Sequence, residues 1–335
     1  MTEMASKYNL GFFPTPLHEL KTLSTLYDNY TIYIKRDDQT GLATGGNKTR
    51  KLEYLLQEAL HQGCDAIITA GAQQSNHCRQ TAAACAIANL ECHLMLGGTR
   101  PDQFDGNLLL SSILGATIHF TGDNRKGEDI ISLKKQLEQQ GKKPYIIPYG
   151  GSNSIGAMGF VHAIKELKAQ LSSQQVQIDY IFFASSSGGM QAGVTMGCEI
   201  YDLNTTLIPI NIDKDETHGT ALEQVVLDII REGSKTLPIN RSYTIDDIPL
   251  NKEYDEAGYG VFTHQENKAI TTLAQKEGIL LDPVYTGRAF YGMIDHLEKK
   301  KIPVNSKVLF WHTGGFPAIF KFTEALSPQT KAAYE

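Results

Sequence analysis

The chain has 335 residues, 41% of them apolar and 20% charged, with a formal net charge of −6, enough to bury a large core in one large or two smaller domains. The acidic balance argues against a nucleic-acid groove, because the basic cluster "LEKKK" near Lys301 reads as a solvated helix end. Apolar runs are too short to span a bilayer, and the stretch MTEMASKYNLGFFPTPLHEL has no basic segment leading into an apolar core, so the cytoplasm is the expected compartment.

Strand and helix patterns alternate along the chain. "TIYIKRDD" (31–38) predicts a strand, and "KTRKLEYLLQEALHQG" (48–63) an amphipathic helix closed by Gly63. "AIITAG" (66–71) predicts a buried strand and "NHCRQTAAACAIANLE" (76–91) the helix after it. "ECHLMLGG" (91–98) and "ATIHFTG" (116–122) read as strands around a helix "NLLLSSILG". "KPYIIPYGGS" leads a strand into a glycine-rich turn before the helix "GAMGFVHAIKELKAQL". "IDYIFFASSSGG", "QAGVTMGCEIY", "TTLIPINID", a helix from Ala221 to Glu232 and "KVLFWHTGG" continue the pattern. Such alternation predicts parallel sheets with crossover helices, an α/β architecture. The least regular stretch, 240–262, is expected to be a loop near a site or interface. No linker or repeat marks a boundary, so a second domain is expected as an insertion entered and left through short crossings.

Five cysteines are too few and of the wrong parity for a disulfide scaffold. Cys78, Cys85 and Cys92 are spaced by seven, which predicts a packed stripe if the helix runs that far. The ten histidines are scattered, so no metal is expected.

In open parallel sheets, ligands sit beyond the carboxyl ends of the strands. Four loops there carry unusual residues: "TGGNKTR" (44–50), "TAGAQQSNHCR" (69–79), "FASSSGGMQAG" (183–193) and "FWHTGG" (310–315). In the third, an apolar strand runs through Ser185, Ser186, Ser187, Gly188 and Gly189 into a helix, which suits a bound phosphate. In the first, Gly41 and Gly46 have the spacing of a Walker A loop, but Asn47 intervenes before Lys48-Thr49. The dinucleotide fingerprint G-x-G-x-x-G is absent. A lysine that forms a Schiff base with a phosphorylated aldehyde accounts for more of these features. Lys48, the Ser186–Gly189 loop, Ser75-Asn76 and Tyr285-Thr286 supply the amine, the phosphate cradle and the proton-moving hydroxyls it needs.

"GLATGGNKTRKLEYLL", "QSNHCRQTAAACA", "DPVYTGRAFYGMI" and "FWHTGGFPAIF" together resemble the pyridoxal-phosphate enzymes grouped with D-cysteine desulfhydrase and 1-aminocyclopropane-1-carboxylate (ACC) deaminase, from about Pro14 to Phe320. The resemblance implies a tryptophan-synthase-β-like (fold type II) α/β protein with two three-layer domains rich in parallel sheet. The pyridoxal-phosphate domain would comprise 1–50 and 158–335, and the smaller inserted domain 51–157. It also implies a homodimer acting on a small amino acid. Lys48 would carry the cofactor and Lys51 would lean toward its phosphate. Asn76 would bond the ring's phenolic oxygen, and Ser75 would touch the substrate carboxylate or assist proton transfer, next to His77. Backbone N–H groups from Ser186, Ser187, Gly188 and Gly189 to Met190 would hold the phosphate, and Tyr259 and Tyr285 would line the substrate pocket. Met190 replaces a hydroxyl residue frequent in the family, so weaker cofactor affinity is expected.

Two positions bear on the reaction. Where sequences resembling ACC deaminase have a glutamate and an apolar residue, this chain has Thr286 and Thr313, the combination resembling D-cysteine desulfhydrase. A carboxylate at the pyridine nitrogen strengthens the electron sink that opening a cyclopropane requires, whereas expelling a thiolate needs less. The expected reaction is β-elimination of D-cysteine to pyruvate, hydrogen sulfide and ammonia. A cysteate sulfo-lyase, for which Arg288 would matter, an ACC deaminase, and a non-catalytic phosphate-ligand binding protein are the alternatives.

Overall fold

The computed structural model describes residues 6–326. Its elements run β1 (Leu17–Glu19), α1 (Lys21–Leu26), β2 (Thr31–Arg36), α2 (Lys48–His61), β3 (Ala66–Ala72), α3 (Asn76–Ala88), β4 (Glu91–Gly97), α4 (Gly106–Ile113), β5 (Thr117–Phe120), α5 (Ile130–Gln139) and β6 (Pro144–Ile146). Then follow α6 (Ser154–Gln174), β7 (Tyr180–Ser185), α7 (Gly189–Ile200), β8 (Thr206–Asn211), α8 (Leu222–Gly233), α9 (His264–Glu277), α10 (Thr286–Glu298) and β9 (Lys307–His312). α1, α5, α9, α10 and the short β1 add to the elements read from periodicity.

The strands form a five-stranded sheet ordered β1-β2-β9-β7-β8 and a four-stranded sheet ordered β5-β4-β3-β6. Every pairing is parallel except that of β1 with β2. Strand residues alternate between faces, so apolar side chains on both faces require helices on both. In the larger sheet, Phe182, Val308 and Phe310 pack under α9 and α10, while Ile181, Phe183, Leu309 and Trp311 pack under α6 and α7. In the smaller one, Ile67, Leu94 and Leu96 face α2 and α3, while Ile68, Ala70 and Met95 face α5. Both sheets are therefore the middle of three layers.

The cysteine stripe is corrected. α3 stops at Ala88 because Asn89 turns left-handed, at φ 54°. Cys92 consequently lies on β4, although it shares a core with Cys78 and Cys85.

Strands from both ends of the chain build the larger sheet and strands from the middle build the smaller, the arrangement a 1–50/158–335 and 51–157 division would produce. Both cuts fall inside helices, α2 and α6. We therefore propose that the chain crosses between domains just ahead of these helices; residues 1–5 and 327–335 lie outside the described residues.

One buried network fixes α2. Arg50 donates to both oxygens of Asp37 at 2.8 Å and to both oxygens of Glu166 on α6 at 3.0 Å. Burial alone would raise the Asp37 carboxyl, but Arg50 overrides it and holds it below the usual carboxylate range. Breaking such a pair strands a buried charge. Arg50→Met is expected to lower unfolding stability by about 3–5 kcal/mol in a denaturant titration; a loss below about 1 kcal/mol, the range of an exposed pair, would contradict the assignment.

Candidate active site

Parallel pairing points the carboxyl ends of the strands the same way, and the helices that follow begin there. α2, α3, α7 and α10 all start around one cavity, which places their positive dipole ends together. Lys48, Ser75, Asn76, His77, Ser186, Ser187, Gly188, Met190, Tyr285 and Thr313 line it. Lys51, Gly189 and Tyr259 stand directly behind that wall, and Thr286 lies off it. Sequence reasoning missed Asn47, Tyr149, Gly150 and Gln191, which also line the cavity.

The turn before α2 needs its glycines: at Gly45, φ is +75° and an added Cβ would lie 1.9 Å from the Asp38 carbonyl oxygen. Lys48 is thereby presented at the first helical position, where its amine is 3.4 Å from the Gly150 carbonyl. Lys51, one turn on and fully buried, donates to Gly150 O at 2.9 Å and to Ser152 Oγ at 3.0 Å. Neither makes a salt bridge to a carboxylate among the described residues. Burial lowers Lys48 to about 8. Burial, then the neighbouring Lys48 charge, lowers Lys51 well below the ordinary lysine value.

Ser75 caps α3, its Oγ accepting from Cys78 N–H at 3.2 Å, which leaves its own hydrogen free to turn into the cavity. The Asn76 carbonyl oxygen accepts from Arg79 at 3.2 Å and from Asn107 at 2.9 Å. Its Nδ2 is therefore the group left for a ligand oxygen, and the amide orientation is set by its neighbours. His77 is fixed by Thr69: that hydroxyl donates to Ile147 O at 2.8 Å, so it accepts from His77 Nε2 at 2.9 Å. Burial, then Lys48 and Lys51, keeps the ring neutral.

The loop from Ser186 to Met190, the expected phosphate cradle, is backed by Ser152, which donates to Ser187 Oγ at 2.8 Å and accepts from Gly189 N–H at 3.2 Å. That use of the Gly189 amide takes it out of the expected cradle. A Cβ on Gly189 would lie 2.7 Å from Lys51 Nζ, so only glycine lets the lysine approach the loop. The Ser187, Gly188 and Met190 amides have no acceptor among the described residues. Met190 packs into the core, with its sulfur 3.5 Å from Asn47 Nδ2.

At the opposite end, the Tyr259 and Tyr285 hydroxyls are 2.5 Å apart, and burial raises both phenols. Thr286 donates to Asp282 Oδ1 at 2.7 Å and accepts from Asp282 N–H at 2.7 Å, so its hydroxyl closes the turn into α10 instead of facing the cavity. Arg288 likewise is spent on Glu266 and on the carbonyls of Ile212, Gly258 and Val261, each at 2.8–2.9 Å. It anchors the loop that carries Tyr259.

The family model described as pyridoxal-phosphate-dependent enzyme matches residues 8–314. The chain belongs to the pyridoxal-phosphate-dependent enzyme family. A protein named D-cysteine desulfhydrase from Klebsiella pneumoniae (strain 342) is 40% identical, covering 92% of this chain and 94% of its own. Another of that name from Yersinia enterocolitica is 40% identical, covering 95% and 99%. The crystal structure of an ACC deaminase homologue superposes with a TM-score of 0.86 at 34% identity, covering 96% and 95%. A hydrogen sulfide-producing enzyme from Fusobacterium nucleatum, at 17% identity and a TM-score of 0.64, shares the fold.

The residues present fit this cofactor. Two buried amines without carboxylates, unpaired loop amides at a helix N-terminus and a pre-set Asn76 amide suit a phosphorylated aldehyde with a phenolic oxygen. Only the neutral amine of Lys48 attacks an aldehyde, and its fraction rises tenfold per pH unit below the lowered value. Uptake of pyridoxal phosphate by the apoprotein, followed by its visible band, is expected to accelerate up to about pH 8 and then level off. A rate still climbing toward the ordinary lysine value of 10.5 would contradict the burial argument.

Proposed function

We propose that this chain is a D-cysteine desulfhydrase, forming pyruvate, hydrogen sulfide and ammonia, in the cytoplasm and as a homodimer. The observation that carries the reading is the relatives of that name, 40% identical over more than nine-tenths of the chain. No helix among the described residues is long and apolar enough to cross a membrane. The homodimer rests on the family resemblance.

When bound, pyridoxal phosphate supplies the electron sink that makes the substrate Cα–H acidic. Lys48 would hold the cofactor aldehyde, with Lys51 and the Ser186–Met190 loop on its phosphate. Asn76 Nδ2 would donate to the ring oxygen, and Thr313 would stand at the ring's far edge. The Ser75 hydroxyl and the start of α3 would hold the substrate carboxylate, beside His77. The Lys48 amine, freed by substrate and lowered by burial to about 8, removes the Cα proton. The Tyr285–Tyr259 pair, protonated because burial raises both, would hold the departing sulfur by a hydrogen bond.

The alternatives lose support at named residues. A sulfonate substrate calls for a free cation near the leaving group, but Arg288 is saturated within the protein. The electron-sink carboxylate expected for cyclopropane opening is replaced by Thr286, which is turned onto Asp282. A binding protein would not need burial to lower the Lys48 amine.

D-cysteine added to the yellow protein is expected to shift its visible band and release sulfide and pyruvate in equal amounts, with L-cysteine, cysteate and ACC far slower. Lys48→Ala is expected to cut sulfide release by at least ~100-fold, the lower end of what a positioned base contributes. Faster turnover of cysteate or ACC, or substantial sulfide from the variant, would overturn the assignment.

A further inference from the structure

At the tyrosine end of the cavity a third phenol, Tyr149, lines the wall from the turn ahead of α6. Its oxygen accepts from Arg125 Nη1 at 3.3 Å and meets the Ser186 hydroxyl. Among the described residues its own O–H has no hydrogen-bond partner besides that Ser186 hydroxyl. Arg125 is held by Asp213 at 2.8 Å and Asp215 at 3.2 Å, and its guanidinium lies 4.4 Å from the Tyr259 ring centroid. Lys126 bridges to Asp213 at 3.1 Å and lies 5.8 Å from the Tyr149 ring centroid. Cys78, Tyr259 and Tyr285 are further titratable groups near Tyr149, and Lys48 and Lys51 reach the carbonyl of the adjoining Gly150. Arg125 comes from the loop between β5 and α5 and Asp213 from the end of β8, so the cluster joins loops of the two sheets beside the cavity.

Tyr259 and Tyr285 share one hydrogen between their oxygens, which leaves that pair a single proton to give. Tyr149 differs in that its oxygen touches a cation, so the phenolate left after donation is stabilised in place. Burial pushes the phenol up to about 12, partly offset by Arg125, so it enters the reaction protonated.

We propose that Tyr149 is a further catalytic residue of the elimination, donating its O–H to the departing sulfur, and that Arg125 is the positioning residue that aims it. The inference rests on the elimination proposed above. The Cβ–S bond breaks with its electron pair on sulfur, which departs as hydrosulfide. Tyr149 supplies the proton that completes hydrogen sulfide, and its phenolate is reprotonated from water. The Cα proton goes to Lys48, so no oxidant or reductant enters.

The test compares two leaving groups on the holoenzyme. Chloride leaves 3-chloro-D-alanine without a proton, whereas hydrosulfide leaves D-cysteine more readily with one. Tyr149→Phe removes a single oxygen. The expected result is a fall in kcat/KM for D-cysteine of about tenfold or more, with 3-chloro-D-alanine changed less than about twofold and the visible cofactor band retained. Arg125→Met is expected to give the same selectivity with a smaller loss. Equal losses on both substrates, or none on D-cysteine, would overturn the inference while leaving the elimination standing. A wild type inactive on both would overturn the elimination, and this inference with it.

Discussion

Lys48 and Lys51 bury two amines side by side with no carboxylate opposite them among the described residues, and the rest of the site follows from that. Elsewhere in the chain buried cations are paired, Arg50 with Asp37 and Arg288 with Glu266. Arg79, buried on Gly45 O, Asn76 and Asn107, is a third cation without a carboxylate among the described residues, and it backs Asn76 at the cavity wall. Helix N-termini add positive potential from four directions. An isolated protein gains nothing by gathering one sign of charge in a dry place. A bound phosphate supplies the missing charge, and its binding energy adds to the stability of the folded state.

The architecture exists to hold those amines still. Asp37 and Glu166 grip Arg50 one residue before Lys51, tying α2 to the end of β2 and to α6. Asp282 gathers the amides of Val284, Tyr285 and Thr286, which sets the start of α10 and the direction of Tyr285. The Lys51 side of the cavity is thus braced by ion pairs and the tyrosine side by a cap. The smaller sheet contributes the α3 residues between them, so the cavity is lined from both sheets.

What was legible in the sequence is what local backbone geometry demands. GGNK and SSSGG announce themselves because their turns need residues without a Cβ, as the contacts at Gly45 and Gly189 show. Strand and helix alternation was readable because both sheets are apolar on both faces. Roles that depend on where a side chain turns were not. Thr286 follows the motif tyrosine, yet its hydroxyl belongs to Asp282; Arg288 promised a charge for the leaving group and spends it on a loop. Cys92 kept the helical spacing, but Asn89 had already ended the helix. Arg125 meets Tyr149 across 24 positions and Asp213 across 88, a distance over which no motif can be read.

The account stands on Lys48 being the amine that holds the cofactor while Lys51 serves only its phosphate. Borohydride reduction of the holoenzyme, followed by proteolysis and peptide mass mapping, tests that division directly. The phosphopyridoxyl group is expected on Lys48 alone, with Lys51 unmodified. Label on Lys51, or a yellow protein that takes no label at either lysine, would contradict the account.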